Sequence, residues 1–271
     1  MNEPDHILIT GGLGFIGSNF IRYILKNKRD VKITNLDNMT YAGNPQNLIG
    51  VEKEYQGRYV FIKGDICEQN DVEKIFAEHK PDAVINFAAE SHVDRSIEDP
   101  NVFIKTNILG TANLLNISKK YWKDQYSDKR FLQISTDEVY GSLPEDDPEI
   151  KFTENTPLNP HSPYSASKTS ADLIAMSYFD TYCFPVLITR CSNNYGPFQF
   201  PEKLIPLIIS KAQTNENLPV YGDGKNIRDW LFVDDHCSAI WTVLKKGTIG
   251  EVYNIGGNNE IQNIEIVKMI L

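Results

Sequence analysis

The sequence is poor in cysteine, lacks a long apolar run and carries fewer basic than acidic residues. Its four cysteines form no CxxC pair, so we expect small, buried, free thiols, as in a cytoplasmic protein, rather than a disulfide framework. No run of about 18 apolar residues occurs, which argues against a membrane-spanning helix. With 27 Lys and Arg against 36 Asp and Glu, the formal net charge is -9. Binding to nucleic acid, which needs a basic face, is therefore not expected.

Short apolar runs alternate with helical patterns through the first 190 of the 271 residues. This order predicts a Rossmann-like α/β fold, in which a doubly wound parallel sheet is covered by helices on both faces. We predict strands at 6–10, 31–36, 59–63, 83–87, 131–135 and 186–190, and helices at 15–26, 71–79, 102–121 and 164–182.

Beyond residue 190 the pattern loosens, because prolines and glycines separate shorter elements. We divide the chain into a larger N-terminal domain (1–190) and a smaller, mixed C-terminal lobe (191–271) that is interleaved with the main sheet. Predicted elements here are a helix at 203–214, extended pieces at 218–221 and 230–233, and a helix capped by Asp234. The last helix has no stop signal, so we expect the natural protein to continue and the lobe to be incomplete.

A glycine-rich turn follows the first predicted strand. Gly11, Gly14 and Gly17 lie between that strand and the first predicted helix, where glycines let a pyrophosphate approach the helix N-terminus. Asp37 ends the second predicted strand, 20 residues past Gly17. A carboxylate there accepts hydrogen bonds from a ribose diol and repels a 2′-phosphate, which favours NAD over NADP.

A second group of residues suits acid–base chemistry. Tyr164 and Lys168 are spaced i, i+4, so they share one helix face, where a nearby ammonium would lower the pKa of a phenol. Asp137 and Glu138 directly follow the fifth predicted strand, where one carboxyl group can act as an acid and the other as a base. Taken alone, each pair could also be an ordinary solvated surface feature.

Together these motifs resemble the extended short-chain dehydrogenase/reductase superfamily and, within it, the dTDP-glucose 4,6-dehydratases. The resemblance runs through TGGLGFIG (10–17), AAESHVDRS (88–96), STDEVYG (135–141), SPYSASK (162–168) and RCSNNYGP (190–197). It implies that NAD takes a hydride from C4 of the glucosyl ring, that water is eliminated across C5 and C6, and that the hydride returns to C6. The product is a 4-keto-6-deoxy nucleotide sugar, and rhamnose is the usual destination of such deoxysugars.

The resemblance also implies a role for individual residues. Tyr164, with Lys168, takes the O4 proton; Thr136 hydrogen-bonds near O4; Glu138 removes the C5 proton; Asp137 protonates the departing C6 hydroxyl. The implied NAD site comprises Gly11, Gly14, Phe15, Ile16, Gly17, Asp37, Asn38, Asp65, Ile66, Ala88, Ala89, Ser91, Thr106, Tyr164, Lys168 and Asn194. The implied nucleotide-sugar site comprises Ser91, Thr136, Asn193, Lys203, Leu204, Pro219, Tyr221, Arg228 and Asn263.

Other readings share part of this evidence. A sugar-nucleotide 4-epimerase or decarboxylase would use the same glycine turn and the same Tyr164–Lys168 pair, and a non-catalytic NAD-binding regulator could retain the fold. By analogy we expect a homodimer, formed through the 164–182 helix and the 102–121 helix. No residues have metal-ligand spacing, so we predict no metal site.

Overall fold

A computed structural model describes residues 3–143, 150–220 and 222–271. Ten strands in these residues form two sheets. They are β1 (His6–Thr10), β2 (Lys32–Asp37), β3 (Tyr59–Lys63), β4 (Ala83–Asn86), β5 (Arg130–Thr136), β6 (Val186–Cys191), β7 (Asn193–Tyr195), β8 (Ile227–Phe232), β9 (Val252–Ile255) and β10 (Glu260–Gln262).

The main sheet has seven strands in the order β3-β2-β1-β4-β5-β6-β9, and every pair in it is parallel. A small mixed sheet has the order β10-β8-β7. The predicted doubly wound α/β fold is therefore confirmed. The flanking helices are α1 (Phe15–Asn27), α2 (Val51–Glu54), α3 (Gln69–His79), α4 (Val93–Glu98), α5 (Pro100–Phe103), α6 (Thr111–Trp122), α7 (Pro163–Tyr182), α8 (Leu204–Gln213), α9 (Val233–Lys246) and α10 (Asn263–Ile270).

Both faces of the main sheet are buried, as the apolar strand sequences require. Alternate residues of β1 point to opposite faces: Ile7 and Ile9 join the core that includes Phe20 of α1 and Ile240 of α9. Leu8 joins the opposite core, which includes Leu114 of α6. Each fully buried aliphatic side chain contributes about 1.5–3 kcal/mol relative to exposure, so the apolar strands specify the three-layer packing.

The sheet order places the candidate site. The chain reverses its direction of travel across the sheet between β1 and β4, and a crevice opens where that happens, beyond the carboxyl ends of the strands. The glycine turn, Asp37, the segment after β4 and the Asp137–Glu138 pair all follow strand ends. They therefore lie at the same edge of the sheet.

Four local predictions differ from the structure. The helix predicted at 102–121 is divided into α5, a π-helix (Ile104–Gly110) and α6. Residues 218–220 form no regular element, and residue 221 lies outside the described part. Asp234 is not a cap, because α9 begins at Val233; it lies in the first helical turn instead, where a negative charge is favourable. The cysteines are free, but only Cys191 and Cys237 are buried as expected, whereas Cys67 is half-buried and Cys183 is exposed.

Within the three described stretches, no helix is long and apolar enough to cross a membrane.

Candidate active site

The glycine turn packs directly against the segment that follows β4. Gly11 has φ +69°, and its N–H donates to the carbonyl oxygen of Leu36 at 2.9 Å. A Cβ at Gly11 would lie 2.7 Å from the backbone nitrogen of Ala88. A Cβ at Gly17 would lie 2.5 Å from the carbonyl oxygen of Gly11. Both positions thus require glycine, and no side chain caps the N-terminus of α1 that they expose.

We expect Gly11→Ala to destabilise the protein more than Gly57→Ala. Gly57 has a similar φ of +80°, but a Cβ added there would have no neighbour within 4 Å, so it isolates the strain of the left-handed backbone, about 1–2 kcal/mol. Gly11→Ala adds a steric conflict with Ala88, and we expect a further 1 kcal/mol or more, roughly the cost of overpacking. Urea unfolding of both variants measures the difference. Equal losses of unfolding free energy would mean that the turn yields to the added methyl group.

Asp37 fixes the end of β2 to the glycine turn. Its Oδ2 accepts the N–H of Leu13 at 2.9 Å, and its Oδ1 accepts the N–H of Met39 at 2.8 Å. Burial raises the pKa of this carboxyl group, and the two backbone hydrogen bonds oppose that shift. The carboxylate nevertheless lines the cleft beside the turn. It is therefore placed to accept hydrogen bonds from a ribose diol, which fits NAD.

The π-helix holds the floor of the cleft in place. Asn107 makes two hydrogen bonds to the backbone of Glu90. Its Oδ1 accepts the Glu90 N–H at 2.8 Å, and its Nδ2 donates to the Glu90 carbonyl oxygen at 3.0 Å. The same amide nitrogen lies 2.8 Å from Oγ of Ser167 on α7. Asn107 therefore fixes the segment that contains Ala88 and Ala89, whose small side chains leave room for a flat ligand.

One cleft collects the predicted cofactor residues and the predicted catalytic residues. Their contact with a ligand stays a prediction, but they surround a common space that begins at the glycine turn and ends at the carboxylate pair. The cofactor residues that line it are Gly11, Gly14, Phe15, Ile16, Gly17, Asp37, Asn38, Asp65, Ile66, Ala88, Ala89, Ser91, Thr106, Tyr164, Lys168 and Asn194. The remaining catalytic residues, Thr136, Asp137 and Glu138, line it as well.

The two carboxyl groups lie on a short 3-10 helix (Asp137–Tyr140) that begins where β5 ends. Thr136 caps this turn, because its Oγ1 accepts the Glu138 N–H at 3.3 Å. Burial, and then the charge of Glu138, raises the pKa of Asp137 to about 6. Burial also raises the pKa of Glu138, but the charges of Lys203 and Arg228 oppose it. This environment suits Asp137 as the acid and Glu138 as the base.

Tyr164 and Lys168 are held by the first turns of α7, which starts with a capping box between Ser162 and Ser165. Both side chains are buried. The Nζ of Lys168 donates to the carbonyl oxygen of Ile134 at 2.7 Å, at the end of β5. The pKa of Tyr164 is raised well above 10, chiefly by burial and by the negative charge of Glu138. The lowering of the phenol pKa by Lys168, expected to act through a ribose or a water, stays a prediction.

The predicted sugar-nucleotide residues are divided by the structure. Ser91, Thr136, Asn193 and Lys203 line the cleft, whereas Leu204, Pro219, Arg228 and Asn263 are not among its lining residues. Tyr221 lies outside the described residues. Arg228, on β8, is exposed, and its Nη1 donates to the carbonyl oxygen of Ile227. Its charge acts to lower the pKa of both carboxyl groups, against the larger effect of burial.

The sequence did not reveal how the cleft residue Asn194 is held. Its Oδ1 lies 2.7 Å from Nδ1 of His236, a fully buried side chain on α9. Burial lowers the pKa of His236 to about 3, so the imidazole is neutral and can donate its Nδ1 proton. The two residues are far apart in the sequence, and no local pattern indicates this contact.

In the described part of the chain, no group of three or more His, Cys, Asp or Glu residues is arranged to hold a metal ion.

Comparisons with known proteins agree with this geometry. Residues 8–271 match the family model described as GDP-mannose 4,6 dehydratase. A dTDP-glucose 4,6-dehydratase of Xanthomonas campestris is 56% identical over 267 residues, which are 97% of this chain and 74% of the relative. The crystal structure of a dTDP-glucose 4,6-dehydratase from Bacillus anthracis in complex with NAD is 51% identical, with a TM-score of 0.88, over 98% of this chain and 79% of that one. The corresponding enzyme of Streptomyces venezuelae, also with NAD bound, is 44% identical, with a TM-score of 0.90, over 98% and 80%.

The parallel sheet, the glycine turn and the buried Tyr164–Lys168 pair define an extended short-chain dehydrogenase/reductase. Within that class, the carboxylate pair after β5 and the similarity to the relatives indicate the same enzyme family. The chain belongs to the dTDP-glucose 4,6-dehydratase family.

Proposed function

We propose that this protein uses NAD to convert dTDP-glucose to dTDP-4-keto-6-deoxyglucose and water. One observation carries the proposal: a buried phenol, a carboxyl group with a pKa of about 6 and a second carboxyl group converge on the cleft that the glycine turn opens. An epimerase needs a hydride carrier and a single base, whereas an elimination of water also needs an acid and a base at C6 and C5. Asp137 and Glu138 supply that additional pair.

Each proton transfer is assigned to a side chain of the cleft. Tyr164 takes the proton of O4, and the Thr136 side chain acts to lower the pKa of its phenol, against the effect of burial. Glu138 removes the C5 proton, which the new ketone at C4 acidifies. Asp137 gives its proton to the C6 hydroxyl, which leaves as water. When bound, NAD would supply the acceptor and later the donor of the C4 hydride. As that hydride adds at C6, the protonated Glu138 returns its proton to C5.

Binding is assigned to two parts of the chain. In residues 1–190, the glycine turn receives the pyrophosphate of NAD and Asp37 receives the adenosine ribose. In residues 191–271, Asn193 and Lys203 line the cleft with the carboxylates. We assign to Arg228 the phosphate oxygens of the nucleotide sugar, because a guanidinium group suits them. Leu204, Pro219, Tyr221 and Asn263 complete this proposed site.

Product analysis is the direct test of the proposed function. The protein is incubated with NAD and dTDP-glucose, the nucleotide sugars are separated, and their masses are determined by mass spectrometry. We expect a product lighter than the substrate by one water molecule. A product of unchanged mass, a pentose, or no turnover of dTDP-glucose would contradict the proposal.

We further propose a cytoplasmic homodimer. Apolar side chains are exposed along α4, α5, the π-helix and α7, and their burial against a second copy would be favourable. They include Ile97, Val102, Ile104, Leu109 and Leu173, with 43–66% of each side chain exposed. We expect light scattering to give twice the monomer mass, and a monomer at micromolar concentration would contradict this arrangement. The free cysteines favour a reducing compartment, which cell fractionation tests.

A further inference from the structure

One buried phenol holds the C-terminal end of the 3-10 helix that carries the carboxylates. Tyr140, the last residue of that turn, is 3% exposed. Its hydroxyl accepts from Nη1 of Arg190 at 2.9 Å and donates to Oδ1 of Asn254 at 2.8 Å. Its ring stacks on Phe152, with ring centroids 5.0 Å apart. The phenol thus ties the turn to β6 and to β9 at once.

Arg190 continues the chain of contacts to the helix that bears the base. Its Nε donates to Oδ2 of Asp172 at 3.0 Å, and the two side chains are 5% and 1% exposed. Asp172 lies one turn after Lys168 on α7, and its charge acts to raise the pKa of Lys168 against the effect of burial. A buried ion pair has few alternative geometries, because moving either partner leaves a charge without compensation.

The same turn is also fixed at its front. Lys168 donates to the carbonyl oxygen of Ile134, three residues before the turn begins at Asp137. Gly141, directly after the turn, has φ +88°, and a side chain there would meet the carbonyl oxygen of Asn159. The Asp137–Glu138 pair is therefore held between two anchors, and both anchors lead to α7.

We propose that Tyr140, with Arg190, Asp172 and Asn254, is a positioning network that sets the distance between the carboxylate pair and the base Tyr164. The inference rests on the proposed function, because it concerns the order of steps at that site. None of the four residues lines the cleft, so they act through the turn and not on the substrate. Loss of the network slows removal of the C5 proton and loss of water more than it slows oxidation at C4. Tyr164 lies on α7 and keeps its place without the phenol of Tyr140.

Tyr140→Phe is the discriminating variant, since it removes the hydroxyl and keeps the stack on Phe152. We expect kcat to fall about tenfold with KM within about twofold, because small displacements of a catalytic group act on the chemical step. The kinetic isotope effect on kcat with substrate deuterated at C4 should fall toward unity. The kinetic isotope effect on kcat with substrate deuterated at C5 should increase. Unchanged isotope effects alongside a lower kcat would mean a smaller active fraction and would overturn the inference.

Tyr253→Phe is the matched control. Tyr253 precedes Asn254 on β9, and its hydroxyl accepts the N–H of Thr248 at 2.8 Å, away from the network. It removes the same hydroxyl group at a neighbouring position, and we expect both isotope effects to stay as in the parent protein. An equal change in the control would assign the effect to general loosening of β9.

A second measurement does not depend on turnover. The N–H of Gly141 donates to the carbonyl oxygen of Glu138 within the turn, and its hydrogen exchange reports on opening of that turn. We expect faster exchange in Tyr140→Phe and in Asn254→Ala, no further increase in the double variant, and no change in Tyr253→Phe. Exchange as slow as in the parent would reject the positioning role even if the protein did not dehydrate dTDP-glucose. Failure of the proposed function would appear separately, as absence of product from the parent protein.

Discussion

Glu138→Gln is expected to lower formation of the 4-keto-6-deoxy product by a factor of about 10²–10⁴, the usual contribution of a general base. Glutamine keeps the size of the side chain but has no basic oxygen for the C5 proton. Oxidation at C4 should persist, because Tyr164 is unchanged. In deuterated water, substrate recovered from this variant should contain no deuterium at C5, as measured by mass spectrometry.

Glu90→Gln is the control for loss of a carboxylate from the cleft. Glu90 lines the cleft, and burial raises its pKa as it does that of Glu138, but no proton transfer is assigned to it. We expect this variant to retain deuterium exchange at C5. Retained exchange in Glu138→Gln would show that another group is the base.

Asp137→Asn is expected to lower kcat by a similar factor of about 10²–10⁴ and to change the pH dependence. Asp137 must be protonated to give its proton to the C6 hydroxyl, and its pKa is about 6 in the free protein. The protonated fraction falls as pH rises through that value. In the parent protein kcat/KM should therefore fall about tenfold per pH unit above about pH 6, and kcat/KM of the asparagine variant should not show this decrease.

The two carboxyl groups also affect one another, which supplies an internal check. The charge of Glu138 raises the pKa of Asp137, so Glu138→Gln should move the alkaline limb of any residual activity to lower pH. Rates measured across pH 5–8 in both variants distinguish the assignments. If kcat/KM of Asp137→Asn still fell with rising pH, that decrease would be due to the titration of a different group.

Much of the site could be predicted because its signals are local. The glycine turn, Asp37 and the Tyr164–Lys168 spacing each lie within one element or at one strand end. A parallel sheet then brings those strand ends to a common edge without further information. The repeated order of apolar strands and helices similarly predicted a sheet with two covered faces.

The remaining features depend on contacts between distant parts of the chain. The π-helix contains Asn107, whose side chain bonds the backbone of Glu90, and helical periodicity does not report such a contact. Lys168 donates to a carbonyl oxygen on β5. The i, i+4 spacing concerns contacts within one helix and does not indicate this contact with a strand. Tyr140 and Arg190 are 50 residues apart, and each reads alone as an ordinary core residue.

The position of β9 has a consequence for synthesis of the protein. β6 pairs with β5 on one side and with β9 on the other, and β9 ends only at Ile255. Until the ribosome has delivered that strand, β6 exposes unpaired backbone groups along an apolar parallel edge, which is a template for association with other chains. A premature stop between residues 192 and 251 would therefore yield copies that hold the glycine turn and every assigned proton-transfer group yet aggregate.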